Sequence, residues 1–197
     1  MYNLVENIDE TLFFEALEYF YEQAKKNMKN GSTKGSQKKK TEIKIDKALK
    51  ALGIVCNVSF GQRFPAGYRA SKQKENVKKQ KENIKKQGIA FVRADVLGKE
   101  YVNSEKPTPR KGIYIWFCYM KETQSLCLEF GFCWDDDEVP CKAFETMKKK
   151  DGCFGDDEGE RRKFYNDFKN HKDEILNDFL EFVEYYKGID ACNFELM

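Results

Sequence analysis

The chain has 197 residues, with 35 Lys or Arg against 33 Asp or Glu and an apolar fraction of 41%, the size and composition of one domain able to bury a single core. No apolar run approaches the eighteen or so residues of a membrane span, and the N-terminus lacks the basic-then-apolar pattern of a secretory signal, so the expectation is one cytoplasmic domain over residues 1–197 with no membrane partner. The net charge of +2 conceals a division: residues 25–111 hold 24 Lys or Arg against 7 Asp or Glu and the remainder 11 against 26, which predicts a basic surface suited to a polyanion opposed by an acidic one.

In chain order, residues 9–28 carry Leu12, Phe13, Ala16, Leu17, Phe20 and Tyr21 at steps of three and four, the mark of an amphipathic helix. "NGSTKGSQKKK" reads as a flexible connection. Ile43, Ile45, Ala48, Leu49 and Leu52 mark a second helix ending at Gly53, a residue suited to a C-terminal cap. "IVCNVSF", from Ile54 to Phe60, is short and rich in β-branched residues and predicts a strand.

A loop beginning at Gly61, "GQRFPAGYR", carries two Gly, a Pro, two Arg and Gln62. It runs into a predicted helix over 72–87 whose only aliphatic face is Val77 and Ile84, too little for a coiled-coil seam, so its lysines are left to solvent or a partner. "GIAFVRADV", "GIYIWFCYM" and "SLCLEFGFCW" predict three more strands, the last two joined by a hairpin at "KETQ". "LGKEYVNSEKPTPRK" between the first two is polar and reads as a surface loop. A short helix is expected from near Val139, and a long amphipathic one from about Glu160 to Lys187, where Phe164, Phe168, Ile175, Leu176, Phe179, Leu180, Val183 and Tyr186 recur at helical spacing.

These elements predict an α+β fold, a small and mainly antiparallel sheet flanked by several helices, with a long C-terminal amphipathic helix. Residues 53–134 are the sheet core with a basic loop and helix inserted at 61–88, and residues 1–52 and 138–188 supply the flanking helices.

For chemistry the sequence offers few candidates. Glu42, Ile43 and Lys44 form the second half of a metal-dependent nuclease signature, but the stretch before Glu42 holds no Asp to complete a metal site. Asp135, Asp136, Asp137 and Glu138 lack the spacing of an EF-hand loop and read as a solvated helix start. The one imidazole, His171, lies in a polar stretch predicted to be helical and solvent-facing, without a nucleophile to serve. Seven Cys, at 56, 118, 127, 133, 141, 153 and 192, include no Cys-x-x-Cys pair, which fits reduced thiols without a zinc site. Phosphate-loop and dinucleotide fingerprints are absent, so no cofactor and no catalysis are expected of this chain.

Recognition is what remains. Arg63, Arg69, Lys72, Lys74, Lys78, Lys79, Lys81, Lys85 and Lys86 can neutralise phosphates, and Gln62 can read a base edge or fill the space left by a displaced base. An ordinary turn role for Gln62 stays open beside this one.

Three fragments in order, "VSFGQ" at 58–62, "IAFV" at 89–92 and "GIYIWFCYMKETQSLCLEFGF" at 112–132, resemble the N-terminal DNA-binding domain of McrB-type specificity subunits of GTP-driven, modification-dependent restriction systems. The resemblance covers roughly the middle two-fifths of the chain. It implies a targeting domain for double-stranded DNA in phage defence, with a GTPase motor C-terminal to it and an McrC-like nuclease subunit recruited to that motor. In the best-known member a methylated cytosine is flipped into an aromatic and apolar pocket, which position by position falls on Gln62, Gly88, Tyr114 and Cys118. Of these Tyr114 keeps the aromatic character, whereas Gln62 stands in place of a Tyr and Gly88 in place of a Trp. Two rival expectations stand beside this one: a protein-interaction module of a multi-subunit complex, and a small metal-dependent nuclease using Glu42 and Lys44.

Overall fold

A computed structural model of the protein describes residues 8–30, 35–59, 87–109, 111–120, 123–133, 141–149 and 162–197. Within them the chain is α+β: four α-helices and a five-stranded antiparallel sheet in the order β1-β2-β3-β4-β5. The helices are α1 (Glu10–Asn30), α2 (Gly35–Ala48), α3 (Lys142–Lys149) and α4 (Lys172–Gly188). The strands are β1 (Ile54–Ser59), β2 (Gln87–Arg93), β3 (Gly112–Met120), β4 (Ser125–Cys133) and β5 (Lys163–Tyr165).

Helix α1 forms where the apolar spacing predicts it. Asp9 accepts the Leu12 N–H at 3.0 Å and so caps its first turn, and Phe13, Ala16, Leu17, Phe20 and Ala24 are all buried. Helix α4 buries Ile175, Phe179, Phe182, Val183 and Tyr186. The two helices and one face of the sheet close a single aromatic core: Phe179 lies 5.1 Å from Phe13 and 4.9 Å from Phe91, and Phe182 stacks on Phe130 at 4.8 Å. Such pairs add to the area they bury.

Helix α2 flanks β1, the edge strand, and deals with its outward N–H groups through side chains. The Asp46 carboxylate accepts the Cys56 N–H at 2.9 Å and the Glu42 carboxylate accepts the Val58 N–H at 2.8 Å. An edge that would otherwise template a further strand is thereby occupied. Between α2 and β1, a 3-10 turn over Lys50–Leu52 ends at Gly53, whose φ of +65° carries the chain into the strand.

At the end of the sheet where β1 begins and β2 finishes, Asn103 acts as an extra piece of strand beside β3. Its amide accepts the Ile113 N–H at 2.8 Å and donates to the Ile113 carbonyl at 3.0 Å, while the Tyr186 hydroxyl donates to that same carbonyl at 2.6 Å. Buried Arg93 donates to the Tyr186 and Ile189 carbonyls and pairs with Asp95 at 2.7 Å, which ties β2 to the end of α4.

Several expectations are corrected. The stretch from Gly35 is helical, although its Gly, Ser and Lys composition reads as a linker; packing of Ile45, Ala48 and Leu49 beneath it overrides that composition. Ile43 is 45% exposed rather than part of that apolar face. Gln87, read as the last residue of the inserted helix, instead begins β2, so the sheet starts before the end of the 61–88 insertion, and Gly88 lies in the strand that "GIAFVRADV" predicts. Val102 and Asn103 are buried within the predicted surface loop. The short helix starts at Lys142, three residues after Val139.

The C-terminal helix starts at Lys172, because residues 163–165 pair with β4 as a fifth strand and so extend the sheet beyond residue 134. Phe164, read as part of a helical stripe, is 52% exposed on that strand. His171 stands just before α4, where its Nδ1 lies 2.6 Å from the Glu174 carboxylate. The loop and helix proposed over 61–86, with Gln62 and every Arg and Lys named there, lie outside the described residues, as do Asp135 to Glu138.

Candidate functional site

Alternation divides the sheet into two faces. Ile54, Cys56, Val58, Ile89, Phe91, Ile113, Ile115, Phe117, Leu126, Leu128 and Phe130 lie on the face toward α1 and α4. The opposite face carries Gly88, Ala90, Tyr114, Trp116, Cys118, Cys127, Glu129, Gly131 and Phe164 in register. Three of the four residues predicted to form a base pocket, Gly88, Tyr114 and Cys118, are therefore on one face, and Gly88 is directly opposite Cys118.

Their surroundings explain the residue types. A side chain on Gly88 would place its Cβ 2.3 Å from Cζ2 of Trp116, so the indole lies flat across a position that must be glycine. Gly131 is covered in the same way by Tyr114, whose ring would meet a Cβ at 2.3 Å. The two rings meet edge to face at 5.8 Å, and the Tyr114 hydroxyl donates to the Pro109 carbonyl at 3.0 Å. Burial first, then the nearby Cys133, Glu129 and Cys118, push that phenol well above its ordinary range, so it remains a neutral donor. An aromatic wall is thus present beside Gly88, supplied by Trp116 of the neighbouring strand. Trp116 and Tyr114 are both buried, packed on the two glycines rather than standing open to a base.

Toward the β3–β4 turn the same face becomes polar and sulfur-rich. Cys118 and Cys127 are directly opposite each other, and their sulfurs and a Glu129 carboxylate oxygen all lie within 4.8 Å of one another. Arg162, two residues before Phe164, donates through Nε to Cys127 Sγ at 3.5 Å and forms an ion pair with Glu129 at 2.8 Å. Its guanidinium lies over the Phe164 ring at 5.1 Å. Cys118 Sγ is also 3.8 Å from Met120 Sδ. The Cys127 thiol is held below its ordinary value, chiefly by the hydrogen bond from Cys118 and further by Arg162, against burial and Glu129, which raise it. By contrast Cys56, among carboxylates and buried, is pushed well up.

Sequence reasoning missed Trp116, Cys127, Glu129, Gly131 and Arg162. A signal for most of them existed: a four-residue "KETQ" connection implies that Met120 pairs with Ser125, and counting back two and four residues brings Cys118 to Cys127 and Trp116 to Glu129. Arg162 had no such signal, because β5 follows at a distance of some thirty residues.

The two strand ends that flank the inserted segment lie side by side. Ser59 and Gly88 are paired neighbours, so the chain leaves β1 and re-enters β2 at one end of the sheet, the end that also carries the β3–β4 turn. Helix α2 runs antiparallel to β1, with Asp46 at Cys56 and Glu42 at Val58, and its N-terminal lysines, Lys38, Lys39 and Lys40, extend toward that same end. Lys39, Lys40, Lys44, Lys47 and Lys50 are exposed.

Glu42 and Lys44, the nuclease candidates, are apart in role: Glu42 holds the β1 edge and pairs with Lys38 at 3.6 Å, whereas Lys44 reaches Glu15 of α1 at 2.9 Å. No helix among the described residues is long and apolar enough to cross a membrane. Comparison with family models, with curated proteins and with solved structures gives no match to this chain.

Proposed function

We propose that the protein is a DNA-recognition domain that binds double-stranded DNA through the basic segment between β1 and β2, in the manner of an McrB-like targeting domain. The observation that carries the reading is the segregation of charge, 24 Lys or Arg against 7 Asp or Glu in residues 25–111. Arg63, Arg69, Lys72, Lys74, Lys78, Lys79, Lys81, Lys85 and Lys86 would contact phosphates, and Gln62, three residues beyond the end of β1, would face base edges.

A second feature supports the same end of the sheet. Lys38, Lys39 and Lys40 crowd the first turns of α2, where the helix dipole disfavours cations; Lys38 pairs with Glu42 one turn on, and Lys39 and Lys40 are exposed. A polyanion laid across that end would offset the dipole cost. A GTPase motor and an McrC-like nuclease subunit are the partners this reading calls for, and the chemistry would reside with them.

Charge reversal of Arg63, Arg69, Lys78 and Lys79 to Glu tests the proposal. Duplex binding should fall by orders of magnitude while the far-UV spectrum and Tm hold. An unchanged duplex affinity, with loss of assembly with a protein partner, would replace it by the interaction-module reading.

A further inference from the structure

We propose that Cys118, Cys127 and Glu129 form a binding site for a single divalent, thiophilic d10 metal ion of the Zn²⁺ type, on the sheet face opposite α1 and α4. The inference stands on geometry independent of the DNA reading.

Antiparallel pairing sets Cys118 against Cys127, and Glu129 follows two residues on along the same face. The three donor atoms lie within 4.8 Å of one another. Zinc-to-ligand lengths of about 2.3 Å to sulfur and about 2.0–2.2 Å to oxygen place tetrahedral donors roughly 3.5–3.8 Å apart. Small side-chain rotations of about 1 Å would complete the contraction. Two thiols on adjacent rigid strands are well preorganised for this, since the hairpin already holds their backbones.

Charge favours a divalent ion. Binding releases the two thiol protons, M²⁺ + 2 RSH + RCOO⁻ giving [M(SR)₂(OOCR)]⁻ + 2 H⁺. The remaining negative charge is neutralised by Arg162, which already holds the Glu129 carboxylate at 2.8 Å and lies 3.5 Å from Cys127 Sγ. A monovalent ion on the same donors would leave one uncompensated negative charge on this largely buried face. Arg162 thus has the place of the hydrogen-bonded outer partner that orients ligating carboxylates in metal sites. The described residues supply three donors, which leaves the fourth position to water or an added ligand; the Met120 thioether lies 3.8 Å from Cys118 Sγ.

The test uses the full chain, reduced and stripped of metal, titrated with Zn²⁺ against a chromophoric chelator and with Co²⁺ as a spectroscopic probe. One equivalent should bind, with sulfur-to-Co²⁺ charge-transfer absorption. Cys118→Ser and Cys127→Ser should each abolish that band, Arg162→Gln should weaken Zn²⁺ by about 10–100-fold, and Cys192→Ser, at an exposed thiol, should change nothing. Because the serine variants could fail to fold, wild-type protein is also alkylated with and without Zn²⁺ under partly denaturing conditions, and protection should map to Cys118 and Cys127. Absence of stoichiometric binding, a Co²⁺ spectrum without sulfur ligation, or protection mapping to other cysteines would overturn the proposal. So would a Cys118–Cys127 disulfide that persists in reductant and excludes the metal.

Discussion

Gly88→Ala is the sharpest test of how the sheet's second face is built. Glycine within a strand ordinarily costs roughly 0.5–1 kcal/mol relative to alanine, so the generic expectation is a gain in stability. Here the added Cβ would sit 2.3 Å from Cζ2 and 2.6 Å from Cε2 and Cη2 of Trp116. Carbon atoms pack at about 3.5–4.0 Å, so the indole must retreat by at least ~1 Å. It is a rigid ring, buried and held edge-on by Tyr114, so it has little room to do so. Overpacking of this kind costs about 1–3 kcal/mol, and for a chain of this size each kcal/mol shifts Tm by roughly 2–4 °C. Urea unfolding followed by circular dichroism should show the variant destabilised. The double variant Gly88→Ala/Trp116→Leu should lose less than the sum of the two single changes, because the clash is gone. A Gly88→Ala protein as stable as wild type, or more so, would refute the placement of the indole over Gly88.

Glu42→Ala removes a charged acceptor from the Val58 N–H and should cost about 1.5–3 kcal/mol, with Glu42→Gln recovering most of it; plasmid cleavage in Mg²⁺ that Glu42→Ala abolishes would instead restore the nuclease reading. Asp95 is held below its ordinary carboxylate value, first by the hydrogen bond from Arg93. Its contribution should therefore be complete above the unfolded value of about 3.9 and vanish as pH falls through the lower folded value. Because Asp95 is 58% exposed on its side chain, solvent screens the pair, and Asp95→Asn should give a small loss at neutral pH that closes in acid; a loss that grows in acid would contradict the assignment. Asn103→Ala leaves Ile113 N–H without its 2.8 Å acceptor in a buried position and should cost about 1–3 kcal/mol, read as a lowered urea midpoint at unchanged m-value.

How far the fold was legible depends on how local its causes are. β3, β4 and their hairpin follow from dense β-branched and aromatic runs with a four-residue connection, and α1 from an unbroken apolar stripe. The start of α2 was hidden because Gly, Ser and Lys carry no apolar signal; that helix is held by tertiary packing and by the two carboxylates that occupy the β1 edge. β5 was hidden because three residues are too short for a period, and Phe164 and Phe168 happen to fall at helical spacing. Within the candidate site, the pairing of Cys118 with Cys127 follows from the hairpin. The meeting of Gly88 with Trp116 does not, because the long connection over 94–111 leaves the β2–β3 register free in sequence.

The measurement that bears most directly on function is the affinity of the chain for a duplex as a function of salt. The account predicts that log K falls linearly with log salt, by about 0.9 for each phosphate contacted, with a slope of several units in wild type. The Arg63, Arg69, Lys78 and Lys79 reversal should flatten that slope. A slope near zero, or no duplex binding even at low salt, would contradict the claim that the basic segment between β1 and β2 is a DNA-binding surface.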